Sequence, residues 1–178
     1  MQIVVVTGSG RRNGTSSFLA DAFISGAEAA GHEVFRFDAA MEELGACRGC
    51  GFCRKVGTCI QKDAFEKLAP KILTADVIAW ATPVYYMTMT AQLKTVIDRM
   101  YQLELTPGLK GGKRYVLLAT AWDPRPEVFH VLTDTFRAFH RFLKWDYAGA
   151  VLAAGMDTRQ DIEKSDYGEQ AYLLGREL

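Results

Sequence analysis

All four cysteines of the chain fall within CRGCGFCRKVGTC, at Cys47, Cys50, Cys53 and Cys59. Gly49, Gly51 and Gly57 lie among them and let a short backbone wrap tightly. Thiolates in runs of this kind hold [4Fe–4S] clusters. Zinc usually takes two pairs with a longer gap between them. Reduced thiols that simply pack, or a redox disulfide, are the other readings. Arg48, Arg54 and Lys55 would offset a cluster's negative charge and favour the thiolate form. His32, His130 and His140 are scattered along the chain and read as surface or core residues.

A second stretch, GSGRRNGTSS at positions 8–17, follows an apolar run and precedes a helical one. Backbone N–H groups of such a turn and of the helix start converge on one spot, which suits a phosphate. Ser9, Thr15, Ser16 and Ser17 add hydroxyls, and Arg11 a planar charged fork. A triphosphate-binding loop would need a lysine that is absent here. A dinucleotide fingerprint would need glycine where Asn13 stands, with Asp38 as its acidic partner. A flavin-mononucleotide phosphate site and a polar turn without ligand are the remaining readings.

A third stretch, ATPVYYMTMTAQLKTVIDR, starts at Ala81. Pro83 fixes the backbone, and Tyr85, Tyr86 and Met87 offer apolar surface that a planar ring or a second subunit would cover. The alternative is that the two tyrosines pack beneath a neighbouring loop. Asp98 and Arg99 read as an ion pair or surface charges. In ATAWDPRPE, Thr120 offers a hydroxyl, Trp122 an aromatic edge, and Asp123 a turn before Pro124.

These stretches need elements to position them. Apolar or alternating runs predict strands at 2–7, 32–38, 76–82, 114–121 and 146–152. Helical spacing predicts helices at 17–30, 88–101 and 127–143, with a polar one from Thr158. Asp63 with Glu66 looks like a capping box opening a helix to about Leu73, with Pro70 as a kink. Repeated strand–helix alternation predicts an α/β fold of three layers, α/β/α, with five parallel strands in the doubly wound order 2-1-3-4-5. In that order ligands lie beyond the carboxyl ends of the strands, beside strands 1 and 3.

The chain has 178 residues, the length expected of one domain (1–178) carrying a cysteine-rich loop at 47–59. Lys plus Arg equals Asp plus Glu at 21 each, which argues against a nucleic-acid binder or an acidic-membrane binder. Zero net charge also eases self-association. The apolar runs are too short to cross a bilayer and no leader is read at Met1, so a cytoplasmic location is expected.

The pattern GS-x-R-x-N-G-T-S after strand 1, with T-P-V-Y-Y and L-K-x-x-I-D-R after strand 3, resembles the NAD(P)H-dependent FMN reductases of flavodoxin-like fold. The cysteine run resembles the C-x2-C-x2-C-x5-C of the iron–sulfur flavoproteins in that group. The resemblance covers residues 1 to about 123 well. It implies that Ser9, Arg11, Asn13, Thr15 and Ser16 hold the FMN phosphate. Pro83, Val84, Tyr85, Tyr86 and Met87 would line the isoalloxazine, with Thr120 and Ala121 flanking it. Cys47, Cys50, Cys53 and Cys59 would be the metal ligands. The implied activity is a flavin-dependent oxidoreductase passing electrons from NAD(P)H or another small donor to a small acceptor. A flavodoxin-type electron-transfer module without turnover is the alternative. No side chain is singled out as an acid–base catalyst, because the cofactor carries the chemistry. A homodimer or homotetramer is the family habit. Two departures stand out: Gly10 replaces a common proline, and Trp122–Asp123 replaces common glycines, where an indole would narrow the nicotinamide approach.

Overall fold

A computed structural model describes all residues, 1–178. Five parallel strands lie in the order β2-β1-β3-β4-β5: β1 (Gln2–Thr7), β2 (Glu33–Asp38), β3 (Val77–Pro83), β4 (Arg114–Thr120) and β5 (Asp146–Ala153). The helices between them are α1 (Thr15–Ala29), α2 (Phe52–Val56), α3 (Phe65–Thr74), α4 (Ala91–Arg99) and α5 (His130–Leu143), followed by α6 (Arg159–Glu163) and α7 (Tyr167–Arg176). The expected doubly wound sheet is the observed one.

The central strands are apolar at nearly every position because both sheet faces are covered. Alternate residues serve opposite layers. Val4, Val6, Ile78, Trp80, Leu117 and Ala119 face a core completed by α3, α4 and α5. Ile3, Val5, Val77, Ala79, Val116 and Leu118 face one completed by α1 and the C-terminal helices. There α1 and α7 pack backbone to backbone: a Cβ on Gly26 would fall 1.9 Å from the Tyr172 carbonyl oxygen.

The first core holds a buried imidazole. Trp80 Nε1–H donates to His140 Nε2 at 3.0 Å. Indole N–H only donates, so that nitrogen carries no proton and Nδ1–H donates to the Phe136 carbonyl at 2.7 Å. Tyr115 stacks on the ring with centroids 3.6 Å apart. Burial pushes the His140 pKa down to about 3.

Several boundaries differ from the sequence expectation. The helix expected at 88–101 runs Ala91–Arg99, because the Thr90 hydroxyl accepts from the Leu93 amide and stops it; a 3₁₀ turn, Met100–Leu103, follows. The tail from Thr158 is two helices, the first closed by a capping box between Thr158 and Asp161. The expected Asp63–Glu66 capping box does not form. Asp63 accepts from the Phe65 amide, but Glu66 pairs with Lys62. Pro70 sits inside α3 without ending it.

Candidate functional site

A pocket of about 380 Å³ opens at the carboxyl ends of β1, β3 and β4. Three of its walls are the stretches singled out above: Ser9, Arg11, Asn13, Thr15 and Ser16; Pro83, Val84 and Tyr85; and Thr120 with Trp122. The strand–turn–helix geometry that places the first wall also leaves donors free. Helix α1 begins at Thr15 with Gly14 as N-cap and no side chain capping it. The first bond into the helix runs from the Phe18 amide to the Gly14 carbonyl at 3.1 Å. The amides of residues 15–17 therefore lack an intrahelical acceptor.

The hydroxyls divide the work. Ser9 and Ser17 both bond the Arg11 carbonyl, and the Arg11 amide donates back to Ser9 Oγ at 3.1 Å, which fixes the turn. Thr15 and Thr120 share a hydrogen bond of 2.8 Å that joins the α1 start to the end of β4. Ser16, 2% exposed, is left lining the pocket. Arg11 is exposed at its rim.

Across the pocket the chain after β3 makes a tight turn in which Tyr85 and Thr88 exchange backbone hydrogen bonds. Tyr86 and Met87 sit at its tip with positive φ, 45° and 68°. Tyr86 is 99% exposed, so the tyrosines do not pack beneath a loop. Of the residues expected around a planar ring, Pro83, Val84, Tyr85 and Thr120 line the pocket, while Tyr86 and Met87 project beyond it. Ala121 is buried, its amide donating to the Ala153 carbonyl.

The fourth wall escaped the sequence reading. Met156, Asp157, Thr158 and Arg159, after β5, close the pocket beside the α1 start. Arg159 lies over the Phe18 ring at 4.6 Å. The Thr158–Asp161 capping box was the readable signal for that corner. Asp38, the acidic partner a dinucleotide site would use, is occupied elsewhere: it accepts from Thr7 Oγ1 at 2.6 Å and from Arg36 Nε at 2.8 Å.

The cysteine loop lies after β2. All four cysteines line one small cavity of about 20 Å³, together with Gln61, Arg99, Tyr101 and Gln102. Cys47 and Cys50 are exposed, and Cys53 and Cys59 half-buried. Gly49, Gly51 and Gly57 have φ of 63°, 68° and 79°, and the short α2 sits between the last two. No group of three or more His, Cys, Asp or Glu is arranged to hold a single metal ion. A zinc site needs its sulfurs about 2.3 Å from one point. A cubane places its four thiolates on four irons, so it needs no such convergence. The donor set suits a cluster in type, number and common cavity, and the volume requires the loop to open around it.

The loop is fastened to the end of α4. Cys59 donates its amide to Gln102 Oε1 at 2.9 Å, and Arg54 bonds the Tyr101 hydroxyl at 3.0 Å. Arg99 makes a bidentate pair with Asp63, at 2.5 and 3.0 Å. It is buried, contrary to the surface role expected for it; Asp98 pairs with Lys94 instead. Burial alone would raise the Asp63 pKa, but hydrogen bonds from Arg99 and from the Gly45 and Phe65 amides outweigh it and hold the carboxyl below its ordinary range.

A family model described as NADPH-dependent FMN reductase matches residues 1–141. An iron-sulfur flavoprotein of Archaeoglobus fulgidus is 35% identical over 127 residues, covering 71% of this chain and 58% of that protein. One of Methanosarcina thermophila is 32% identical over 99 residues, covering 56% and 52%. The chain thus spans little more than half the length of these two relatives. Among solved structures, an NAD(P)H:quinone oxidoreductase from Methanothermobacter marburgensis superposes with a TM-score of 0.74 at 16% identity, covering 99% of this chain and 96% of that one. An azoreductase from Bacillus anthracis gives 0.75 at 18%, with both chains fully covered. These two likenesses are of fold.

Proposed function

The chain belongs to the NADPH-dependent FMN reductase family, and from that premise we propose that it is an FMN-dependent oxidoreductase taking electrons from NAD(P)H and giving them to a small acceptor. One observation carries the reading: the free amides of the α1 first turn, the buried Ser16 hydroxyl and the aromatic turn after β3 face one pocket. The amides, with Ser9, Arg11, Asn13, Thr15 and Ser16, hold a terminal phosphate at a helix start, where the dipole favours an anion. Pro83, Val84 and Tyr85, with Tyr86 and Met87 beyond them and Thr120 and Ala121 behind, bound the space for the ring. Trp122 covers one side of it and limits the approach of a nicotinamide.

Bound FMN supplies hydride and one-electron chemistry; the chain binds, orients and shields it. Thr15 and Thr120 lock the phosphate end to the ring end through their shared hydrogen bond. The whole chain acts as one flavodoxin-like domain. Cys47, Cys50, Cys53 and Cys59 are the ligands of a [4Fe–4S] cluster. The exposed aromatic turn supports a homodimer, in which a second copy covers it. A cytoplasmic site suits four thiols kept reduced; no helix is long and apolar enough to cross a membrane.

Purified protein should be yellow and, stripped of flavin, should quench FMN fluorescence on titration. A chain that takes up no FMN would end this reading. Steady NADPH oxidation with a quinone acceptor is expected; flavin binding without turnover would instead mark an electron-transfer module.

A further inference from the structure

Buried polar groups in folded chains are nearly always hydrogen-bonded. Only two buried side-chain polar atoms here lack a partner: His32 Nε2 and Arg99 Nε. The second is the informative one. Arg99 ends α4, is 2% exposed, and lines the cavity shared by all four cysteines. Nη1 donates to the Gly45 carbonyl at 2.8 Å and to Asp63; Nη2 donates to the other Asp63 oxygen. The Phe65 ring lies beneath the guanidinium, 5.2 Å from centroid to Cζ. The side chain is therefore held on several sides, Nε is its one nitrogen without any partner, and the residue lines the cysteine cavity.

Burying a guanidinium is costly unless charge and hydrogen bonds offset it. Asp63 supplies one charge, but Nε–H still forfeits its bond to water. An acceptor arriving in the cavity removes that penalty.

We infer that Arg99 is a positioning and charge-compensating residue for the sulfur site: its fixed guanidinium offsets the anionic shell of the cluster, and its Nε–H donates to a sulfur once the cluster is in place. This rests on the reading of the four cysteines as cluster ligands. Hydrogen bonds to cluster sulfurs and nearby charge set reduction potential. A cation beside the cluster favours the more negative, reduced state, so Arg99 raises the potential.

The test is anaerobic spectroelectrochemistry of the reconstituted protein, with iron and sulfide analysis on each sample. Arg99→Gln should lower the reduced-to-oxidised ratio at fixed ambient potential by about tenfold, ~59 mV for a one-electron couple. Arg99→Lys, which keeps charge but loses the fork, should recover part of it. Asp63→Asn removes the opposite charge and should move the potential upward. A merely structural role would loosen the loop in both cases and shift Arg99→Gln and Asp63→Asn the same way, overturning the inference. So would an unmoved potential in Arg99→Gln with full iron content. Should Arg99→Gln fail to hold a cluster, the signs of the Arg99→Lys and Asp63→Asn shifts decide. Wild-type protein without iron and sulfide would instead remove the cluster reading itself.

Discussion

The turn after β1 and the loop after β2 are the two stretches proposed to hold a cofactor, and they are built differently. The first is a consequence of the fold. A buried strand and a helix fix its ends, hydroxyls stitch it to itself, and its free amides come from the helix start. The second, across residues 44–64, contains only one short helix, and it is fastened by hydrogen bonds to Arg99, Tyr101 and Gln102. A helix N-terminus presents free amides as a by-product of forming; a loop with little regular structure has to be tied down.

The largest effect should come from cutting that tie. Asp63→Ala leaves the Arg99 guanidinium buried without its counter-charge, which costs about 3–5 kcal/mol. Urea denaturation measures it. Because the Asp63 carboxyl is held below its ordinary value of 3.8, the pair's contribution is fully present above that pH and is lost as pH falls through the lower folded-state value. A loss under about 1 kcal/mol, the size of a surface pair, would erase the contrast between the two loops.

Acid should act first on a third region, belonging to neither loop. His140 is held neutral, with its pKa moved from 6.5 to about 3. The unfolded chain binds a proton in that window and the folded chain does not, so stability falls as pH drops from 6.5 towards 3. By pH 4 the loss is about 3 kcal/mol. His140→Gln, which can still accept from Trp80, should flatten the slope of unfolding free energy against pH. An equal slope in the variant would place the acid sensitivity elsewhere.

The same division explains what could be read without coordinates. The strands were legible because burial on both faces demands apolar runs, and five of them alternating with helices fit the doubly wound order. The turn after β1 was legible because the residues proposed to hold a phosphate are the same ones that form its local structure. Arg99 was not: in L-K-x-x-I-D-R it looks like any helix-end charge, and only the packing of residues 45 and 63 against α4 makes it a buried anchor. Nor was the wall from Met156 to Arg159, since it reaches the pocket through the path of the chain after β5. Long-range placement, not local propensity, decided both.

A smaller effect should separate binding from stability at the first loop. Ser16→Ala removes a hydroxyl from the proposed phosphate site, which should cost about 1.5–3 kcal/mol of FMN affinity, roughly ten- to 150-fold. Its urea midpoint should stay near wild type, because Ser9 and Ser17 carry the turn. Fluorescence titration beside denaturation checks both halves. An unchanged FMN affinity would remove Ser16 from the phosphate site.

The finest probe is a single methyl group placed in each loop. A Cβ added at Gly10 or at Gly51 meets nothing within 4 Å, so space does not distinguish them. Backbone does. Gly51 has φ of +68°, where L-residues are strained, whereas Gly10 lies outside that region. Gly10→Ala should therefore stabilise by about 0.4–1 kcal/mol, through a less disordered unfolded chain. Gly51→Ala should destabilise by about 1–2 kcal/mol. Opposite signs from the same substitution, read by denaturation, would show that the cysteine loop depends on left-handed turns that the phosphate turn does not need. Equal signs would mean that the glycines of the two loops serve the same end, and that the contrast lies in the fastening alone.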